Sequence, residues 1–546
     1  MAQKNNLLRN ASFLMIAALI SKVIGLLYKS PLSEIVGEVG IGYYGLAQNA
    51  YLILLMIASF SIPQAVSKVI AERLAFKEYK NAQKIFRGAL IYTMILSGAS
   101  ALFCLFGAKY MIPGNQPGAT LALQVLAPTI FLSGILGVYR GYFQAHSNML
   151  PTSLSQIIEQ VLNAAVSLGA AWFFIRFFSD GTKEGIAKWG AAGGTVGTGA
   201  GVLIALLFMA TAYAVNRKQI ARHVKADQTG KEDSYREIFR VLFLIVTPII
   251  FSSFIYNING YMNGVMYSEL AGKQGVSPEM VSTLYGEYSV YFLTIINIPL
   301  TLAGAAPTSM IPEVSALYAQ KRMKAARKKI HEATQLSMFI SIPSAVGLAV
   351  LAYPITRLLF PNTNGTAGTL LIMGAVTIIF NTNSNVSNGV LQGIGKANLP
   401  MWNAAASLSV NVGLLFVLLK TTSLGIYAVL VATIVYSIFI CVLNDISMKK
   451  YIHYKNPWGI AYLCPILASI PMGAVAWGVY YLLELVTGSN LVSLLIAVAV
   501  GGLIYLSLYT TIMAKLKAAE KRRRMEQRYK RERKWERQRN TRSSEE

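Results

Sequence analysis

The chain has 546 residues, of which 54% are hydrophobic and only 13% charged, with a mean hydropathy of +0.48. Soluble domains carry about 25% charged residues, so the composition excludes an ordinary soluble enzyme or binding module. The net charge of +25 does not mark a nucleic-acid-binding face, because the cations gather in short stretches between long apolar runs.

Those runs have the ~20 residues needed to cross a hydrocarbon core of ~30 Å. About fourteen are expected, the first six near 8–29, 44–66, 88–108, 120–140, 152–177 and 191–214. Helices are the only suitable spanning form, since barrel strands alternate over ~10 residues. In the first run Lys22, the apolar sequence beyond it and the lack of a small-x-small cleavage site favour a retained helix over a signal peptide. Lys22 lies near mid-membrane, where a cation costs from ~2.5 to more than 10 kcal/mol unless it faces a cavity or a partner. Lys29 is two turns further on the same face and either shares that cavity or snorkels to the interface. The fifth span carries Gln156, Glu159, Gln160 and Asn163 as a polar stripe. Glu159 is read either as an ion-pair partner of Arg140 or Lys22, or as a proton- or cation-coupling site. Gly193, Gly197 and Gly201 in the sixth span read as close helix packing.

The second six spans are expected near 239–262, 287–311, 334–355, 368–392, 401–419 and 425–446, and two more near 459–482 and 491–513. Amides again collect on helical faces, with Asn257, Asn259 and Asn263 in the seventh span and Asn381, Asn385 and Asn388 in the tenth. They either bind helices together or line a hydrated cavity. The halves repeat each other. Ile62-Pro63 with Ser67 returns as Ile311-Pro312 with Ser315, and Gln144 to Pro151 returns as Gln392 to Pro400, with Pro63/Pro312 and Pro151/Pro400 both separated by 249 residues. An internal repeat in a polytopic membrane protein points to a carrier that moves two related halves about a central site. Pro63 and Pro312 are expected to break the second and eighth helices as gates or hinges. The chain is thus all-α, with a first lobe at 1–222, a second at 223–448, an unrepeated helix pair at 449–514 and a basic tail at 515–546.

Alternate loops hold the cations: Arg73, Lys77, Lys80, Lys84 and Arg87 in one; Arg217, Lys218, Arg222 and Lys225 in another; Lys321, Arg322, Lys324 and Arg327 in a third. The positive-inside rule places both termini in the cytoplasm. Six helices per repeat then relate the lobes by a pseudo-two-fold along the membrane normal. The tail, with Lys521-Arg522-Arg523-Arg524, reads as a solvated extension drawn to anionic lipid headgroups at about 1 kcal/mol per cation. Cys104, Cys441 and Cys464 lie in apolar spans without metal spacing. No catalytic or nucleotide motif and no cofactor site is found.

Ser21-Lys22-Val23-Ile24-Gly25 with Pro31-Leu32, Gly40-Ile41-Gly42-Tyr43-Tyr44, Ile62-Pro63 with Ser67-Lys68, and Arg140-Gly141-Tyr142-Phe143-Gln144 with Pro151 and Gln156 through Glu159 resemble the motifs of the SpoVB/MurJ-like polysaccharide exporters. The resemblance spans nearly the whole chain. It implies the multidrug/oligosaccharidyl-lipid/polysaccharide exporter superfamily, two six-helix lobes around a central cavity, and alternating access in a bacterial cytoplasmic membrane. It implies outward movement of undecaprenyl-pyrophosphate-linked sugars, with lipid II foremost, and a lipid-tail groove at the last two helices. A cationic cavity residue of the family falls at Lys22, where arginine is more usual; other cavity arginines have no match. Substrate contacts are accordingly expected at Lys22, Lys29, Arg140, Asn257, Asn381 and Asn385, with cell-wall synthesis proteins as candidate partners and no nucleic acid. Proton, sodium or membrane-potential coupling stays open. So do three rival readings: an exporter of teichoic, capsular or spore-cortex precursors, a cation-coupled multidrug antiporter, and a membrane scaffold.

Overall fold

The computed structural model describes residues 16–542 except 228, 230–232, 362, 364 and 457. Every regular element among them is helical, as expected where backbone groups that leave water must pair within their own segment. The first half contains α1 (Ile16–Leu27), α2 (Lys29–Leu55), α3 (Ile62–Ala75), α4 (Tyr79–Met111), α5 (Gly118–Ala145), α6 (Leu150–Phe178), α7 (Lys183–Val215) and the short α8 (Arg217–Lys225). The second contains α9 (Tyr235–Lys273), α10 (Pro278–Gly286), α11 (Leu293–Ala319), α12 (Met323–Val350), α13 (Ala352–Leu359), α14 (Thr366–Gly374), α15 (Thr377–Gly393), α16 (Asn398–Thr421) and α17 (Ile426–Ile452). α18 (Cys464–Thr487) and α19 (Asn490–Arg542) follow.

Ten of the described helices are long and apolar enough to cross a membrane, or eleven if the pair α14–α15, bent by 49°, forms one span. The other three expected spans coincide with α1, α9 and the α10–α11 run, which do not qualify by length and hydropathy among the described residues. Residues 8–15 of the first expected span, and 543–546 of the tail, lie outside the described residues. α19 continues as a helix through Arg542, so the tail expected as a plain extension is helical, although only Asn490–Leu516 is apolar.

Two breaks set the shape of the first lobe. Gly37 interrupts α2 at φ 75°, ψ 170°, a conformation that glycine alone adopts cheaply. The first helical rod therefore runs to Val36, past the boundary expected at 29. The second break is a π turn at Met56–Phe60, after which Pro63 sits in the first turn of α3, where its missing N–H costs nothing. The matching break expected at Pro312 does not occur. α11 runs α-helical past that position, and its π turn, Glu287–Phe292, lies at its N-terminal end. Membrane helices accommodate an internal proline where neighbours take up the freed carbonyl.

Close packing of small residues holds α6 to α7. A Cβ on Gly193 would lie 2.6 Å from Ala171 Cα, and Gly197 and Gly201 leave no room for one against Ser167 and the Glu159 carbonyl. Van der Waals contact of this kind drives helix association where lipid is as apolar as the side chains. Contacts between the lobes run chiefly from α2 to α10, to α9 and to the Glu287–Phe292 turn. At that seam Gly42 abuts Ser282, Gly45 abuts Ser289, and a Cβ on Gly286 would lie 2.8 Å from the Gly42 nitrogen.

Candidate functional site

Immediately beside this seam is a cavity of about 570 Å³ between the two halves. α1 and α2 contribute Ser21, Lys22, Lys29, Gln48 and Asn49; α6 adds Gln160 and Asn163; and from the second half come Asn257, Asn259, Ser289, Thr294 and Asn297. Two lysines line it, and no aspartate or glutamate does so among the described residues. Lys29 does not turn toward the interface: its Nζ donates to Thr294 Oγ1 at 2.8 Å, across the gap between the halves. Asn49 Nδ2 makes a second crossing, to the Tyr285 hydroxyl at 2.7 Å. Tyr28 and Tyr44 share a 2.9 Å hydrogen bond behind the lysines. Near the cavity, Gln156 Oε1, Asn259 Oδ1 and Ser289 Oγ are buried with no hydrogen-bond partner among the described residues. Buried polar atoms of this kind cost about 1–3 kcal/mol each and are relieved by a polar ligand or water.

Of the residues expected at the site, Lys22, Lys29 and Asn257 come together here, whereas Arg140, Asn381, Asn385 and Glu159 do not line the cavity. Arg140 Nη2 and Glu159 Oε2 pair at 2.8 Å, and Arg140 Nε donates to Ser155 Oγ at 2.9 Å, tying α5 to α6. This is the ion-pair reading of Glu159. Pro63 packs beneath Gly137 and Gly141 of α5. Asn385 is exposed and Asn381 half-buried on α15. The buried polar residues of that helix face α17 instead. Asn444 Nδ2 donates to Ser384 Oγ and to Asn388 Oδ1, and Asn383 Nδ2 donates to the Asp445 carboxylate at 3.2 and 3.3 Å. Asp445 is the polar residue that the sequence reading passed over, because it stands at the end of an expected span next to Lys449 and Lys450.

A second, apolar groove of about 500 Å³ lies between α11, α12, α18 and α19, lined by Pro299, Leu302, Phe339, Leu348, Met472 and Leu506 among others. Ile298 lines both the groove and the cavity, so the two adjoin at α11.

The sequence family described as polysaccharide biosynthesis protein matches residues 7–318, more than half the chain. The chain belongs to that family. A second family, MatE, matches residues 248–417 of this polysaccharide biosynthesis family member. Curated relatives include Stage V sporulation protein B of Bacillus subtilis (strain 168), 23% identical over 87% of this chain and 91% of the relative. Lipid II flippase MurJ of the same strain is 25% identical over 92% of this chain and 94% of its own. Among solved structures, lipid II flippase MurJ in an inward closed conformation superposes with a TM-score of 0.64 at 18% identity, covering 92% of this chain and 98% of that one. An inward-facing multidrug resistance MATE family transporter of the MOP superfamily gives a TM-score of 0.59 at 15% identity, over 79% and 94%. The family member described here is therefore a multi-pass membrane protein with a transporter fold, and the relatives whose names state an activity, the lipid II flippase and the MATE family transporter, are transporters rather than enzymes.

Proposed function

We propose that this protein flips a lipid-linked polysaccharide precursor from the cytoplasmic to the outer leaflet by alternating access, with the undecaprenyl-pyrophosphate-linked unit lipid II as the first candidate. The observation that carries the reading is the adjacency, on either side of Ile298 in α11, of an apolar groove and a cavity that bears two lysines and no carboxylate among the described residues. An amphipathic substrate needs both: cations and amides for a pyrophosphate-sugar head, and an apolar track for a polyprenyl tail. Lysine meets phosphate as a point charge, without the bidentate fork of arginine. Lys22 and Lys29 contact the pyrophosphate in this scheme, and Asn257 the head beyond it. Both termini face the cytoplasm, and the basic tail lies against anionic lipid.

A second reading, an exporter of a precursor used during sporulation, is favoured by the likeness to Stage V sporulation protein B. Depletion of the protein, followed by chromatography of lipid-linked precursors, separates the two. Accumulation of lipid II on the cytoplasmic side supports the first reading. Accumulation of a different lipid-linked saccharide supports the second, and no accumulation of either rejects both.

A further inference from the structure

The turn between α4 and α5 is short and stiff. Its sequence, Met111-Ile112-Pro113-Gly114-Asn115-Gln116-Pro117, fixes φ at two prolines, and Ile112 takes the extended backbone that a following proline favours (φ -95°, ψ 133°). Four hydrogen bonds join this turn of the first half to the second half. The Tyr261 hydroxyl donates to the Met111 carbonyl at 2.8 Å, one of the acceptors that a helix end leaves over. Asn115 Nδ2 donates to the Ser268 carbonyl at 2.6 Å, Gln116 Nε2 to the Pro278 carbonyl at 2.8 Å, and the Gly114 N–H to Glu269 Oε1 at 3.3 Å. On α9, Tyr261, Ser268, Glu269 and Gly272 fall at i, i+7, i+8 and i+11, one stripe of the helix. Gly272 has no room for a side chain there, since a Cβ would stand 2.7 Å from Asn115 Nδ2. Gln116 is fully buried. Even so, Gln116 Oε1 and Asn115 Oδ1 are buried with no hydrogen-bond partner among the described residues. The turn gives its donors to the second half and receives nothing for these two acceptors, which water satisfies once the halves part.

We propose that this turn is a latch on the outer side: it clasps the corner between α9 and α10, and its bonds to that corner break each time the cavity opens outward. The inference rests on the alternating access of the proposed function and on the orientation that puts the α4–α5 turn outside. The turn belongs to the first half, whereas Ser268 and Glu269 stand near the end of α9 and Pro278 begins α10. A separation of the halves at this point therefore breaks the clasp as a unit. Amides suit a contact that is made and broken in every cycle. Each bond is exchanged for one to water at a small net change, so together they hold the shut state without trapping it, and the two dry oxygens offset part of the hold. A buried ion pair in the same place would have to be desolvated on every return. Asn115 and Gln116 act as positioning residues, because neither lines the cavity that carries the lysines.

Two experiments on the full-length protein, with Cys104, Cys441 and Cys464 replaced, test the latch without any substrate. In both, Asn163→Cys reports outward opening through its labelling by a membrane-impermeant thiol reagent outside intact cells, read at that site by mass spectrometry. Asn115→Ala combined with Gln116→Ala removes two neutral hydrogen bonds and should speed labelling by roughly 5- to 150-fold. An unchanged rate at normal expression overturns the proposal. Should that variant fail to fold, the second experiment fastens the latch instead of loosening it. A Cβ at Gly272 would stand 4.0 Å from that of Asn115, within the roughly 3.5–4.5 Å that a disulfide spans. The clash at Gly272 disappears when the Asn115 amide is replaced. In Asn115→Cys with Gly272→Cys, an added oxidant should join the two thiols, after which labelling of Asn163→Cys should stop and resume on reduction. Undiminished labelling of the cross-linked protein overturns the proposal, as does failure of the two thiols to join. If Asn163→Cys is unreactive from both sides of the membrane in every variant, alternating access fails and the latch falls with it. Normal labelling that ignores the latch overturns the latch alone.

Discussion

Replacing Gly42 with valine should hold the carrier open on its outer side. The seam between α2 and the α10 region is closed by backbone-to-backbone approach: Gly42 has no room for a Cβ against Ser282, and a Cβ on Gly286 would stand 2.8 Å from the Gly42 nitrogen. Because the opposing atoms are main chain, no rotamer change relieves the clash, and the seam has to part. Overpacking of this kind costs about 1–3 kcal/mol. That penalty falls only on the state in which the seam is shut, so its population relative to an outward-open state should fall roughly 5- to 150-fold at 1.4 kcal/mol per tenfold. The assay is the rate at which a membrane-impermeant thiol reagent, added outside intact cells, labels Asn163→Cys in the cavity, with Cys104, Cys441 and Cys464 replaced. Labelling should accelerate in Gly42→Val and less so in Gly42→Ala. An unchanged rate at normal membrane expression would refute the assignment of this seam as the outer gate. Acceleration only for reagent applied to inverted vesicles would reverse the orientation read from the loop charges.

Three further outcomes are expected. Lys22→Ala should abolish complementation of a flippase-depleted strain at normal expression, since a charge-assisted contact to phosphate is worth about 1.5–3 kcal/mol, whereas Lys22→Arg should retain function. Truncation after Lys515 should leave transport intact while weakening retention on anionic vesicles in low salt, measured by flotation of the purified protein's tail fused to a carrier. Between α8 and α9, outside the spanning helices, the Thr229 hydroxyl, with the backbone N–H groups of Lys80 and Thr229, lowers the Asp227 carboxyl to about 2. A depressed acid stabilises above its unfolded value of about 4 and loses that contribution as pH falls toward 2. Hydrogen exchange at the Lys80 amide should therefore stay protected at neutral pH and lose protection in acid, and Asp227→Asn should weaken it at neutral pH while the difference from the wild type vanishes as pH falls toward 2.

The features legible in the sequence are those set by local chemistry. Apolar runs dictate helices, and the glycines of α7 announce a close neighbour because no other residue permits one. Lys22 announces a cavity because lipid does not tolerate it at mid-membrane, whereas Lys29 could equally have snorkelled, and only its bond to Thr294 places it inside. Periodicity is weaker evidence. It places Asn381 and Asn385 on one face of α15, yet it is silent about what that face meets, and the adjoining residues Asn383, Ser384 and Asn388 make the buried contacts. Which cation Glu159 pairs with, Arg140 or Lys22, was likewise open in the sequence, and its distance to Arg140 settles the partner. Asp445 was hidden by its position, since an acid near a helix end followed by two lysines reads as an interfacial residue, and only the tertiary placement of Asn383 and Asn456 encloses it.

The sequence repeat puts prolines at matching positions of the two halves, but it does not set the chemistry of the cavity. Both halves retain prolines at the same spacing, but the first half has a π turn beside Pro63, while the second keeps α11 helical past Pro312 and has its π turn at Glu287–Phe292. The cavity is divided in the same way: its two lysines come from the first half, and the second supplies Asn257, Asn259, Thr294 and Asn297 without a charge. Two equal rings of cations would hold an anionic head equally in both lobes and resist its release. One charged wall opposite a neutral, hydrogen-bonding wall can grip a phosphate on one side while the other slides past it. Lys29 bonds Thr294 across that gap at 2.8 Å, so under the proposed function an arriving anion would compete for the contact that spans the two halves, and its binding would be coupled to their separation.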